Sequence, residues 1–185
     1  MIKTRHCSLA ALAMAFLCAL PGYAREEIKF EQPMLISSAG QSAEVQMVAI
    51  LAKRSDLAYT LIKFASAQDL DGVKTLVLSL GASLKGLGAA GLDVQQEKSR
   101  LVQLVEAART RNMPVVCLHL GGQDRRGKLS DDFISTFLPY ARLTIVVRSG
   151  NQDGLFTRIC SQHDIPLIEV EKTVDAMQPF KQAFQ

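Results

Sequence analysis

Tryptophan is absent from the 185-residue chain, tyrosine occurs three times, and aromatic residues make up 6% of it. No basic stripe interleaved with aromatics remains to stack on bases or track phosphates, which removes nucleic acid from the expected partners. Charge of one sign is scarce as well. The formal net charge is +3, and it falls to near +1 once Lys3 and Arg5 are set aside with the first 24 residues. Histidine occurs three times and cysteine four times, too few and too scattered for a metal-binding cluster. Cys160 and His163 share a helix face, but no second ligand pair accompanies them.

Long hydrophobic runs are also missing, with one exception. Cys7 to Leu20 is uncharged, preceded by Lys3 and Arg5 and followed by Pro21-Gly22 and the small residue Ala24. That order is a secretory signal peptide cleaved after Ala24, and the run is shorter than the about 20 helical residues that cross a bilayer. The mature chain, residues 25–185, is therefore expected as one soluble periplasmic or secreted domain without stable membrane insertion. Cleavage leaves Cys117 and Cys160. An oxidising compartment would let them pair, whereas the apolar strand around Cys117 and the apolar helix face around Cys160 favour two buried thiols.

What is present is an alternation of short apolar runs and longer amphipathic stretches. Strands are expected at Met34 to Ser37, Tyr59 to Phe64, Thr75 to Leu80, around Val115 to His119, Leu143 to Val147 and Pro166 to Val170. Helices are expected at Ala43 to Arg54, Asp93 to Asn112, Ser130 to Leu138, Asp153 to His163 and Val174 to Phe184, with a helical turn at Ser66 to Leu70. Thr75 to Leu80 is apolar almost throughout, as in strands buried on both faces of a parallel sheet. The fold class is α/β: a three-layer, doubly wound, mostly parallel sheet of five to six strands, flavodoxin- or Rossmann-like, in the order 2-1-3-4-5 with the sixth strand at the edge.

Such sheets bind ligands beyond the carboxyl ends of their strands, above all where strand order reverses. Here that point lies between strands 1 and 3. The segments leaving them, "SSAGQSAE" and "GASLKGLGAAGLD", are the most glycine- and serine-rich in the mature chain. Ser37, Ser38, Gly40, Gln41 and Ser42 are the expected donors for a small anionic or polyhydroxylated ligand, with Lys85 beside Gly86, and Arg125 or Arg126, as counter-charges. Equally, Ser42 could simply cap the first helix, and the glycines simply permit tight turns. Asn151 and Asp153 in "RSGNQDGLF" stand at a helix start, where capping competes with ligand contact.

No G-x-S-x-G elbow, Walker loop or dinucleotide fingerprint occurs, and no cofactor or metal is expected. A hydrolase or transferase remains the alternative, using a loop serine, His119 as base, and Asp124 or Asp153 to orient it. A third reading is an adaptor without a small-molecule site. It requires an exposed apolar patch around Met177 and Phe184. No particular protein partner is indicated.

The order "SAGQSAE", "LGASLKGLGAAGLD", "HLGGQDRRGKLSD" and "GNQDGLF" resembles a family of small secreted bacterial Rossmann-like proteins known only as a domain of unknown function. The resemblance runs from about Gln32 to Phe180. It implies that these loops are the family's own signature, and it carries no catalytic role to any residue.

Overall fold

Apolar side chains point alternately to two faces in each central strand, so both faces must be covered. In the computed structural model, which describes residues 29–184, six parallel strands form one sheet. They are β1 (Met34–Ala39), β2 (Tyr59–Leu61), β3 (Thr75–Leu80), β4 (Val115–His119), β5 (Leu143–Val147) and β6 (Leu167–Val170). Their order is β2-β1-β3-β4-β5-β6, the doubly wound α/β arrangement expected from the sequence. β1 and β3 pair along their whole length, from Met34 opposite Thr75 to Ala39 opposite Leu80. Their two exit loops therefore start side by side.

One face buries Leu35, Leu76, Leu78 and Cys117 under α3 (Val94–Thr110), α4 (Lys128–Phe137) and α5 (Leu155–Gln162), through Leu101, Leu104, Phe133, Phe137 and Phe156 among others. The opposite face buries Met34, Ile36, Val77, Val116 and Ile145 under α1 (Val45–Arg54) and α6 (Met177–Ala183). α3 begins with a reciprocal cap. The Gln96 amide donates to Asp93 Oδ1 at 2.8 Å, and the Asp93 amide donates to Gln96 Oε1 at 2.9 Å.

Four expectations change. "GASLKGLGAAGLD" is not all loop, because α2 (Leu84–Ala89) forms within it, capped by Ser83, whose Oγ accepts from the Gly86 amide at 3.1 Å. Ser42 lies just before α1 rather than at its cap position, its Oγ accepting from the Glu44 backbone N–H at 3.4 Å. The cap position falls to Glu44, which makes no side-chain cap bond. The second strand ends at Leu61 rather than Phe64, since at the sheet edge only Met34 to Ile36 pair with it. Phe184 is buried, its ring 5.6 Å from Phe30 and 5.2 Å from Phe180, and Met177 is half-buried, so the patch required of an adaptor is covered.

Cys117 and Cys160 are free and buried, and burial pushes the Cys117 thiol well above its ordinary range. Residues 1–24, the expected signal, lie outside the described residues. Among the described residues no helix is long and apolar enough to cross a membrane.

Candidate functional site

The turn from β1 into α1 passes through two left-handed residues, Gly40 at φ 105° and Gln41 at φ 60°. A side chain at Gly40 would place its Cβ 2.7 Å from Ala82 Cα and from the Gly81 carbonyl, so only glycine fits between the loops. The turn is clamped from α3. Glu97, fully buried, accepts at Oε1 from the Gly40 amide (3.0 Å) and the Gln41 side-chain amide (2.9 Å). Arg100 grips the same carboxylate through two 2.8 Å bonds and donates onward to the carbonyls of Ser38 (2.7 Å) and Ala65 (2.6 Å). A buried carboxylate shared by a bidentate arginine, an amide and a backbone N–H is neutralised and sterically fixed.

A second buried glutamate secures the turn from the α1 side. Glu44 Oε1 accepts from the Ser42 hydroxyl at 3.2 Å, and Oε2 accepts from the amides of Leu120 (3.1 Å) and Gly121 (2.8 Å). Its carboxyl group is fitted between glycines. A Cβ at Gly81 would lie 2.8 Å from Glu44 Oε1, and one at Gly121 would lie 2.7 Å from Glu44 Cδ.

His119 Nδ1 stands 3.8 Å from Glu44 Oε2 and 2.8 Å from the Leu80 carbonyl, while Nε2 faces the Gly122 carbonyl at 3.2 Å. The tautomer decides which of the two ring nitrogens donates to the carbonyl it faces. The ring is fully buried against Phe156, centroids 5.3 Å apart. Both nitrogens are directed at main-chain carbonyls, so His119 is corrected from a candidate base on a serine to an internal brace.

The other acids of the catalytic alternative are placed elsewhere. Asp124 is exposed. Asp153 accepts from Arg126 at 2.8 and 3.1 Å, and this guanidinium holds its carboxyl down to about 2. Arg126 also donates to Asp131 at 2.5 Å and to the Gly150 carbonyl, and lies over the Phe156 ring. Its side chain is 4% exposed, which corrects its assignment as a ligand counter-charge. Asn151 is a structural cap. Its Oδ1 accepts from the Phe156 amide at 2.9 Å, and its Nδ2 donates to Thr157 (2.8 Å) and Glu169 (2.7 Å).

The serines divide likewise. Ser37 Oγ donates to the Lys63 carbonyl at 3.1 Å, Ser42 Oγ to Glu44, and Ser38 Oγ is buried without a partner among the described residues. Ser37, Ser38 and Gly40 therefore lie beneath the surface as supports. Gln41, Ser42, Lys85, Gly86 and Arg125 do meet, lining a groove of about 530 Å³ over the β1 and β3 exits. Lys63, Phe64, Ser83 and the small residues Ala43, Ala89 and Ala90 complete it. Larger clefts of about 660 and 630 Å³ lie at the opposite, amino edge, away from the loops that leave the strands.

Glu44 and Glu97 are the residues that sequence reasoning misses. Each is an acid on an otherwise apolar helical stripe: Glu97 in register with Leu101, Leu104 and Ala108, and Glu44 with Val48, Leu51 and Ala52. That pattern marks a buried carboxylate with a dedicated partner.

By sheet order and edge groove the molecule is a doubly wound, flavodoxin-like α/β protein. The family model described as "Domain of unknown function (DUF6305)" matches residues 31–184, and the chain belongs to that family. Among solved structures it is similar to a protein from Desulfitobacterium hafniense DCB-2 described as a "putative lipolytic protein of G-D-S-L family". Identity is 12% and the TM-score 0.34, over 74% of this chain and 75% of that one. It is also similar to AlinE4, an SGNH-hydrolase family esterase, at 13% identity and a TM-score of 0.33, over 81% of this chain and 79% of that one. Likeness at this level carries no chemistry across. No curated protein matches the chain.

Proposed function

We propose that the protein is an extracytoplasmic binding protein whose groove above the β1 and β3 exits takes a small anion. One observation carries this reading: three cations, Lys63, Lys85 and Arg125, line the groove, and no aspartate or glutamate does. None of the three forms an ion pair with an acidic side chain among the described residues. The start of α1 at Val45, two residues beyond the groove-lining Ala43, adds its dipole. Of the buried carboxylates, Glu97 is ion-paired with Arg100 and Glu44 is held by amides and a hydroxyl, so neither lines the groove. The serine hydroxyls that would favour a polyol are largely engaged internally, which supports the anion over the sugar-like ligand. Secretion rests on the Lys3, Arg5, Cys7 to Leu20, Ala24 order, and N-terminal sequencing of the periplasmic protein should begin at Arg25.

Binding is tested by titrating sulfate and citrate while following amide shifts of the β1–α1 turn by NMR. Lys63→Ala, Lys85→Ala and Arg125→Ala should each weaken the titration several-fold and steeply reduce its salt dependence. Unchanged titrations in all three variants would remove the anion site from this groove.

A further inference from the structure

The three cations are held at the groove by three separate backbone devices. The Lys63 carbonyl accepts from the Ser37 hydroxyl (3.1 Å), the Gln41 amide (3.3 Å) and the Ser38 backbone N–H (3.4 Å). Lys63 and Phe64 are thereby fastened to the end of β1 although both are exposed. α2 approaches the turn until a Cβ at Gly86 would lie 2.0 Å from the Gln41 carbonyl, and this brings the adjacent Lys85 into the lining of the same groove as Lys63. The third cation leans on another glycine: Arg125 Cγ is 2.1 Å from where a Gly121 Cβ would stand.

Between these charges the lining changes character. Ala43, Gly86, Ala89 and Ala90 are small and offer no side-chain donors, and Phe64 remains 45% exposed beside them. An inorganic anion seated among the cations leaves this apolar strip in water, whereas an anion with an apolar body covers it. Resting on the anion-site reading, we infer that the ligand class is an amphipathic organic acid. Its carboxylate lies among Lys63, Lys85 and Arg125, and its alkyl or aryl body lies along Phe64 and Ala89-Ala90.

The test compares octanoate with acetate, octanamide and sulfate by NMR titration of the purified protein, with vesicles of anionic phospholipid as a separate arm. Octanoate should bind at least about tenfold more tightly than acetate, as expected for apolar area removed from water. Phe64→Ala should bring octanoate close to acetate while leaving sulfate unaltered, and Lys85→Ala should weaken all three anions. Both substitutions fall on exposed side chains, and an unshifted thermal midpoint would verify that the fold is retained. Equal binding of octanoate and acetate would overturn the amphipathic ligand and leave the anion site standing. Octanamide binding as well as octanoate would overturn the charge half of the inference. Vesicle binding without octanoate binding would reassign the strip to a lipid surface, and no binding of any anion would defeat the site reading itself.

Discussion

Replacing Glu97 by alanine should destabilise the protein by about 3–5 kcal/mol, the range for removing one partner of a buried ion pair. The carboxylate is the acceptor for Arg100 Nε and Nη2, the Gly40 amide and the Gln41 side chain. Alanine leaves the Gly40 amide and Arg100 Nε without their acceptor, and removes the counter-charge of an arginine whose side chain is only 15% exposed. Urea unfolding, with a slope of about 2 kcal/mol per molar, should therefore show a midpoint lowered by roughly 2 M. A second variant separates the stranded charge from the lost packing. In Glu97→Ala/Arg100→Met the uncompensated guanidinium is gone, and much of the stability should return. A midpoint shift under about 0.5 M in the single variant, or a double variant as unstable as the sum of its parts, would refute the clamp.

Other consequences are checked more simply. In long-range ¹H–¹⁵N spectra the buried His119 ring should show a slowly exchanging N–H directed at the Leu80 or Gly122 carbonyl, and rapid exchange of every ring N–H would contradict its role as a brace. Gly81→Ala should cost stability by at least about 1 kcal/mol, because its Cβ would lie 2.8 Å from Glu44 Oε1; an unchanged thermal midpoint would show that Glu44 is free to move. Asp153 has its ionisation lowered to about 2 by Arg126, below the about 3.9 of an unfolded aspartate. Its contribution is thus complete above about pH 4 and fades as pH falls towards 2. The stability gap between the wild type and Asp153→Asn should close across that interval, and a gap constant with pH would assign the arginine latch no ionic part.

The sheet was legible because its signal is redundant. Thr75 to Leu80 and Leu143 to Val147 have the expected bounds, since a strand covered on both faces is mostly apolar, here with only the small hydroxyl residues Thr75, Ser79 and Thr144 as exceptions. Helix α2 was hidden by composition. Gly86 and Gly88 lower helix propensity, and what favours helix there is Ser83 and the close approach to the Gln41 carbonyl, a contact invisible along the chain. The candidate site was legible as a place but less so in its members. Gln41, Ser42, Lys85, Gly86 and Arg125 meet at one groove, whereas Arg126, Asn151 and Asp153 form a separate latch and cap, and Lys63 and Phe64 were passed over as the end of a strand. Spacing places a residue on an edge; hydrogen-bond partners, which pattern does not encode, decide whether its polar atoms are free.

The two buried glutamates reach the same edge from opposite faces of the sheet, Glu44 from the α1 side and Glu97 from α3. Their acceptors are spent on main-chain N–H groups and side chains of the turns and on Arg100, so the cost of ordering those turns is met when the chain folds rather than when a ligand arrives. A groove preset in this way needs no rearrangement of these turns. Under the proposed anion site, ligand entry should be governed by diffusion in the field of the three cations, slowed by added salt.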